Sequence, residues 1–421
     1  HQARADKIRR AVRSILWLPG RGHYALYREQ GGHRRVHTDA WTYSQFLPVD
    51  TGLAAPFEAL QALFYTEWGL ERIPLPFGGE LCQLSNWVPW KWSVRDLFGG
   101  DLWHLALAYF QTGLPDEGWK LLLGALLESA YAGAVPGGFS HIGAGTDFSD
   151  CKDLFARAVV EGLFGYDPDY PSGLVRIHPA WPADWPEAAI DTPDFWFDYR
   201  RDDDHDRYRL HLAQPAAMHL RLPVRGDRVA ALQVNGRPAA AQVKPGFGAT
   251  WLHLALPAGT DAEIDIQISG RYPAPPPPRE SVVQGESVAL TPARGRLVGW
   301  RDFHGILKMP RLTANALHAR CDGPVGHHLI LLETRAGDLP AWDIVRLEIR
   351  DPQPPARPRT PSDPARWEDL DLTPHFNADV RAIFAPDYLT PRPNTCSARI
   401  GIDGYSAWTF PHWNEKPPVI D

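Results

Sequence analysis

The sequence predicts an α+β multidomain protein, with a helical N-terminal part followed by β-rich parts. Three observations support this prediction. The first part has the apolar spacing of amphipathic helices, the second has short alternating runs between turn residues, and "PAPPPP" at 273–278 has the composition of a linker. The predicted parts are helical hairpins (1–171), an antiparallel β-sandwich (172–271), a Pro-rich linker (272–278) and a β-rich C-terminal region (279–421).

Six segments of the first part have helical periodicity. In "RADKIRRAVRSILWL", Ile8, Val12 and Ile15 form one apolar stripe opposite charged residues. The segment "SVRDLFGGDLWHLALAYFQTG" begins with a capping signal, Ser93 and Asp96, and its second half is apolar almost all round, so we expect that helix to be buried. The predicted helices cover residues 3–17, 39–54, 57–70, 93–113, 116–130 and 150–165.

The connections between these helices alternate in length. The turns at 54–56 and 114–115 are short, whereas the segments 18–38, 71–92 and 131–149 are long and rich in Gly, Pro and aromatic residues. Helices joined by short turns lie antiparallel, so we expect all the long loops at one end of the helical body. Long loops of this kind usually carry function.

The later parts have strand signals. The runs "FWFDYRR", "RYRLHLA" and "MHLRLPV" alternate between apolar and polar residues, and Asn235-Gly236 is a strong hairpin signal. In the C-terminal region we expect strands at "HHLILLET" and "DIVRLEIR".

Composition excludes several classes of function. The net charge of −7 and the pI near 6.2 argue against a nucleic-acid partner. The four cysteines are widely spaced and no metal-ligand spacing occurs, so we expect buried thiols, no metal and no cofactor. The most apolar stretch, 121–135, contains Glu128 and is too short to span a membrane. The N-terminal "HQARADKIRR" has the pattern of a charged helix start, not of a signal peptide.

Several motifs carry a resemblance to a known family. They are "LPVDTGLA" (47–54), "YTEWGLE" (65–71), "SNWVPWKWS" (85–93), "RAVVEGLFGYDPD" (157–169) and the later "RIHPAWPADW". With them the chain resembles the six-hairpin glycosidase superfamily, in particular a bacterial branch related to α-L-rhamnosidase-like enzymes. The resemblance implies an α/α six-hairpin barrel and an exo-acting glycoside hydrolase that acts on sugars derived from plant or microbial polysaccharides.

Only about three of the six hairpins are recognisable in this chain, which therefore looks like the C-terminal portion of such a protein. We expect a partial barrel that is completed by an N-terminal half, by a second chain or by a homo-oligomer. A longer parent protein with its own export signal would favour a periplasmic or secreted location over a cytoplasmic one.

Glycoside hydrolysis usually needs two carboxyl groups. We rank Asp147 first, because the glycines of "GAGTDFSD" let the backbone approach a ligand, although it also suits a turn aspartate. Glu80, in "PFGGELCQL", is the second choice, with an ordinary solvated loop acid as the alternative. Asp150 is the third, but an N-cap with Asp153 at the N3 position explains it better.

The tryptophan-rich loop and its surroundings supply the predicted substrate contacts. Indole faces stack on sugar rings and polar side chains bind hydroxyls, although some of these rings also suit core packing. The candidates are Trp87, Trp90, Asn86, Arg95, Asp39, Trp41, Tyr43 and His141.

Other polar residues also have structural explanations. Asp50 is a candidate carboxyl group and equally suits a structural acid at a helix restart, whereas His104 suits a satisfied core histidine. Arg157 and Glu161 share a helix face with Asp153, which predicts an ion-pair network.

Two rival functions remain open. In a polysaccharide lyase, Tyr and His would replace the carboxylate pair. In a non-catalytic carbohydrate-binding or assembly subunit, an N-terminal partner would hold the catalytic residues.

Overall fold

The computed structural model of the chain describes residues 2–38, 41–85, 97–128, 149–271 and 278–352, and the backbone of four short strands after them. The chain divides into two units, 1–86 with 97–350, and 87–96 with 351–421. In the second unit the four strands form one antiparallel sheet in chain order. These strands are Trp367–Asp371, Ser397–Gly401, Ser406–Thr409 and Val419–Ile420.

All six predicted helices are present in the first unit. They are α1 (Gln2–Ile15), α2 (Thr42–Asp50), α3 (Pro56–Trp68), α4 (Gly99–Thr112), α5 (Pro115–Leu126) and α6 (Ser149–Arg157), the last continued by a π-helical segment, Ala158–Leu163. Prolines at the first position of α3 and α5 suit helix starts, because the missing N–H has no intrahelical partner there. One predicted boundary is wrong: α4 begins at Gly99 with Phe98 as its N-cap residue, and Ser93 and Asp96 lie outside the described residues.

Helices α2 and α4 run in the same direction. The ring of Phe46 stacks on His104 with centroids 4.2 Å apart, and one turn further along α2, Asp50 accepts a hydrogen bond from Gln111 near the end of α4. Since contacts advance along both helices in the same sense, α2 and α4 are parallel. As predicted, α4 is buried all round: Leu102 to Phe110 are at most 1% exposed, apart from His104.

Helix α6 is parallel to α4, and α5 is antiparallel to it. Trp103 of α4 contacts Phe155 of α6. Further along both helices, Gly162 lies against Phe110. Gly118, in the first turn of α5, lies against the same Phe110 ring, near the end of α4. The starts of α2, α4 and α6 and the end of α5 therefore lie at one end of the helical body, which we call the loop end.

Three two-stranded sheets accompany the helices. They pair β1 (Trp17–Leu18) with β2 (His23–Tyr24), β3 (Tyr27–Arg28) with β4 (Val36–His37), and β5 (Arg72–Pro74) with β6 (Glu80–Cys82). Gln45 in α2, fully buried, binds both backbone groups of Tyr24 and so fixes β2 against α2.

A large sheet follows, built on two long antiparallel strands. Its first strands are β7 (Tyr166–Asp169), β8 (Leu174–Ile177), β9 (Glu187–Asp191), β10 (Phe195–Arg201), β11 (His205–Val224), β12 (Arg228–Val234), β13 (Arg237–Pro238), β14 (Gln242–Phe247) and β15 (Thr250–Ser269). The long pair is β11 and β15, whose register shifts between His211 and Met218. The predicted turn between β12 and β13 is confirmed, since Asn235 (φ 51°) and Gly236 (φ 70°) both have the positive φ of a type I′ hairpin.

The strands up to residue 350 complete this sheet and add a three-stranded one. They are β16 (Arg279–Val283), β17 (Ser287–Leu290), β18 (Arg296–Asp302), β19 (Leu307–Leu312), β20 (Leu317–Cys321), β21 (Gly326–Ala336) and β22 (Leu339–Arg350). The two strands predicted from "HHLILLET" and "DIVRLEIR" are β21 and β22. β16, β18, β21 and β22 join the large sheet, and β17, β20 and β19 form the small one.

Strand β21 is buried on both faces. Leu329 and Leu331 belong to the main core with the helices, whereas Ile330 and Leu332 belong to a second core between the two sheets. A strand buried on both faces reads as a continuous apolar run, which explains why "LILL" does not alternate.

Candidate active site

The described residues that flank two of the predicted functional loops lie at the loop end. These loops are the tryptophan-rich segment and the segment that contains Asp147. The N–H of Thr42, the first residue of α2, donates to the carbonyl of Leu84 at 2.8 Å, so the chain passes the start of α2 just before residue 86. After residue 96 it enters α4 almost at once. The segment 129–148 leaves from the end of α5 and returns at Ser149, the start of α6.

Most of the predicted site residues lie outside the described residues. This holds for Asp147, Asp39, Asn86, Trp87, Trp90, Arg95 and His141. Asp150 lies in the first turn of α6, where the backbone alone is described. The side chain of Asp150 lies outside the described part of the structure, so its N-cap role stays a prediction.

Trp41 and Tyr43 form an aromatic pair at the start of α2. Their ring centroids are 4.9 Å apart with planes at 63°. Trp41 is the N-cap residue, and its backbone N–H donates to the Ser44 hydroxyl at 3.1 Å, which fixes the entry of the chain into the helix. Burial, together with the negative charge of Asp101 in the first turn of α4, raises the pKa of Tyr43 to about 12. At neutral pH Tyr43 is therefore a phenol that can both donate and accept a hydrogen bond.

Glu80 lies on the β5–β6 hairpin and forms an ion pair. Its Oε1 accepts from Nη1 of Arg72 at 2.9 Å, and its side chain is 29% exposed. Arg72 is itself held by the carbonyl and hydroxyl of Thr66 and by the hydroxyl of Tyr109. Glu80 is therefore oriented by a buried network and is not the freely solvated loop acid considered as the alternative.

The sequence interpretation missed Phe77, at the tip of the same hairpin. Its ring is 90% exposed, and its φ of 63° lies in the left-handed region that a bulky residue seldom adopts. Such strain often marks a functional position, and an exposed aromatic ring three residues before Glu80 suits contact with a sugar face. The turn signal "PFGG" contained the clue, since Phe77 is its one large side chain.

A carboxylate node joins α2, α4 and α6. Asp50 accepts hydrogen bonds from His104 (2.9 Å), Gln111 (3.0 Å) and Arg157 (3.0 Å), and Arg157 also binds Glu161 at 2.6 Å. Burial alone would raise the pKa of Asp50, but hydrogen bonds from these three partners outweigh it and hold that pKa below its ordinary value. Every one of these groups is hydrogen-bonded to another, which favours a structural role for Asp50, left open by the sequence, and agrees with the structural roles predicted for His104, Arg157 and Glu161. Asp153, the predicted third member of the ion-pair network, is exposed on α6 and is not among these partners.

Other expectations concern metals, thiols and membranes. Within the part of the chain that the structure describes, no group of three or more His, Cys, Asp or Glu side chains is arranged to hold a metal ion. Cys82 and Cys321 are free and buried, as predicted. No helix of the described ranges is long and apolar enough to cross a membrane.

Comparison with known proteins gives little guidance. No protein-family model and no curated protein matches the chain. Among solved structures, it is similar to a GH127 beta-L-arabinofuranosidase from Geobacillus stearothermophilus T6, with 11% identity and a TM-score of 0.24 over 90% of this chain and 55% of that one. It is also similar to a Gamma-CGTase from alkalophilic Bacillus clarkii, with 8% identity and a TM-score of 0.15 over 71% of this chain and 49% of that one. The chain spans about half the length of each, and TM-scores this low carry no argument about fold or function.

Proposed function

We propose that the protein is an exo-acting glycoside hydrolase that uses carboxylate acid/base catalysis and no cofactor, with its active site at the loop end. The observation that carries this proposal is the common position of the loop attachments. Leu84, whose carbonyl binds the start of α2, and the start of α4 flank the tryptophan-rich segment, and the end of α5 and the start of α6 flank the Asp147 segment. The fold proposed with it is a partial α/α six-hairpin barrel followed by a β-sandwich and a β-rich C-terminal region.

The described side chains supply part of what a saccharide site requires. Trp41 and Tyr43 provide an aromatic surface with a phenol, and Phe77 provides a second exposed ring. Glu80 provides a carboxylate whose Oε1 is fixed by Arg72. In the proposed reaction Glu80 and Asp147 form the carboxyl pair, whose separation of roughly 5–5.5 Å or 6.5–9.5 Å would decide between retention and inversion.

The experiment compares Glu80→Gln and Asp147→Asn with the unchanged chain on a panel of oligosaccharides and aryl glycosides. Each substitution removes one ionisable group with little change in shape, so we expect hydrolysis to fall by about 100-fold or more while saccharide binding is retained. Glu187→Gln, an exposed acid at the start of β9, is the matched control and should leave the rate unchanged. Unchanged rates in both loop-end variants would refute catalysis by these carboxyl groups.

A non-catalytic role is the second candidate, and one observation favours it. In α1, Ile8 is 53% exposed and Ile15 is 37% exposed, although the sequence pattern predicts an apolar face there. An incomplete barrel would leave such a face for an N-terminal half, a second chain or another copy. Saccharide binding without hydrolysis by this chain, and hydrolysis only after a partner is added, would identify the binding or assembly role. Unsaturated products absorbing in the ultraviolet would instead identify a lyase.

A further inference from the structure

A cavity of about 410 Å³ lies far from the loop end, where α4 turns into α5. Its walls come from the turn and first residues of α5 (113–117), from the loop at Phe247 and Gly248, and from Asp343 to Arg346 of β22. None of the predicted site residues lines it. The volume is near the lower limit of ligand pockets, roughly 300–1,000 Å³, and suits a molecule of about one sugar ring.

Arg346 lies in the wall of this cavity as part of a buried ion-pair cluster. The residue is only 8% exposed, and its Nε and Nη2 are bound by the carboxylate of Glu67, with Glu117 a further partner of Nη2. Its Nη1 is buried and has no hydrogen-bond partner among the described residues. Because that atom has almost no accessible surface, it is shielded from the cavity, and Arg346 borders the cavity with its other atoms.

Asp343 brings a buried acceptor to the same cavity. It is 8% exposed, and its Oδ2 accepts from the backbone N–H of Ala293 at 2.7 Å. Burial, only partly offset by that hydrogen bond, raises the pKa of this carboxyl group. The second oxygen is suited to a hydroxyl group, which can donate to a carboxylate or accept from a carboxylic acid.

The remaining lining favours a neutral ligand over an anion. The wall contains three basic and four acidic side chains, and two of the acidic ones lie in the first turn of α5. These groups are Lys120, Arg225 and Arg346 against Asp116, Glu117, Asp184 and Asp343. A ligand carboxylate or phosphate would meet those acids, whereas hydroxyl groups carry no such penalty. Leu114, Phe247 and Ile344 add apolar surface for the C–H face of a ring.

We propose that this cavity is a second binding site, which takes one neutral polyhydroxylated ring against Asp343. It is separate from the proposed active site and does not depend on catalysis at the loop end. A hydroxyl of the ligand binds the carboxyl group of Asp343.

The test measures binding of neutral hexoses and pentoses, and of the matching uronic acids, to the full chain by calorimetry and saturation-transfer NMR. Ala293→Trp narrows the cavity at an exposed position without removing the N–H that binds Asp343. Asp343→Asn keeps an oxygen that can accept from that N–H but replaces the second carboxylate oxygen with an NH2 group. Ala289→Trp, at an exposed position of β17 outside the cavity lining, is the matched control.

We expect a neutral sugar to bind, and Ala293→Trp and Asp343→Asn each to weaken binding by about 10-fold, with Ala289→Trp within about 2-fold of the unchanged chain. The sugar should also protect residues 113–120 and 339–350 of the unchanged protein from hydrogen exchange, a readout that needs no variant. Binding should persist in Glu80→Gln, so that failure of the active-site proposal and failure of this one remain distinguishable.

Two results would overturn the proposal. One is that no neutral sugar protects residues 113–120 from hydrogen exchange, or that the affinity for the sugar is unchanged in both Ala293→Trp and Asp343→Asn. The other is that a uronic acid binds the cavity more tightly than its neutral counterpart, which would contradict the charge argument.

Discussion

Substituting Gly124 tests how the hairpin that carries Glu80 is positioned. A Cβ added at Gly124 of α5 would lie 2.2 Å from the carbonyl oxygen of Glu80 and 2.7 Å from its backbone carbon and nitrogen. Real Cβ atoms essentially never approach another heavy atom within 3.0 Å, so in Gly124→Ala the hairpin must move by about 0.8 Å, the difference between 3.0 and 2.2 Å. The obstacle is backbone, which cannot change rotamer to make room.

Two opposing effects set the size of the change. Alanine in a helix is favoured over glycine by about 1 kcal/mol, whereas overpacking of this kind costs about 1–3 kcal/mol. We therefore expect the free energy of unfolding of Gly124→Ala to fall by about 1 kcal/mol. If Glu80 is catalytic, a displacement of about 1 Å would also lower the rate by up to about 100-fold.

Urea denaturation and hydrolysis rates, measured well below the unfolding transition, check both numbers. Gly259→Ala is the control, because a Cβ there meets nothing within 4 Å and its φ is not in the left-handed region. We expect Gly259→Ala to keep both its stability and its rate. A Gly124→Ala protein that is more stable by about 1 kcal/mol, as helix propensity alone requires, would refute the close contact.

The remaining predictions concern two titrating groups and one strained residue. Asp50→Asn should lower the free energy of unfolding by about 2 kcal/mol at pH 7 and make that free energy less dependent on pH in acid. The reason is that the lowered pKa of Asp50 contributes stability that is present above pH 3.8 and is lost as the pH falls towards the folded-state pKa. Urea titrations from pH 7 to pH 3 check this. Burial, with the nearby charge of Arg221, lowers the pKa of His178 from 6.5 to about 3, so stability is complete above pH 6.5 and should fall by about 2 kcal/mol by pH 5; an equal fall in His178→Gln would contradict this. Phe77→Gly should leave stability unchanged or raise it by up to about 1 kcal/mol, since it relieves a positive φ and removes an exposed ring, while saccharide affinity falls by about 10-fold in calorimetry; unchanged affinity would exclude Phe77 from the site.

Local sequence patterns were enough to predict the elements. The apolar face of α1, the all-round apolar run of α4 and the Asn235-Gly236 turn each follow from the chemistry of adjacent or helically spaced residues. The start of α4 was predicted too early because Ser93 and Asp96 match a capping box, whereas two glycines, at 99 and 100, open the observed helix. Such a motif is weak evidence when another start lies within two turns.

Contacts between distant residues could not be predicted in this way. The sequence left Asp50 open between a candidate carboxyl group and a structural acid, because its partners His104, Gln111 and Arg157 lie 54 to 107 positions away and nothing in the local sequence selects them. The ion pair of Arg346 with Glu67 spans 279 positions. The cavity proposed as a second site has Arg346 in its wall, so it could not be predicted from local sequence either.

The Asp50 node has a consequence for the loop end, which lies about two helical turns away along α2 and α6. An acid at the last residue of α2 opposes the helix dipole, so its position is justified only by the hydrogen bonds it receives from α4 and α6. Those bonds, each near 3 Å, prevent the three parallel helices from sliding along one another by even a fraction of a 5.4 Å turn. The starts of α2, α4 and α6 are thereby held level, and the loops they carry have fixed attachment points. Asp50→Asn should then lower saccharide hydrolysis at temperatures where the protein is folded, although Asp50 itself touches no substrate, whereas His178→Gln in the sheet part should not.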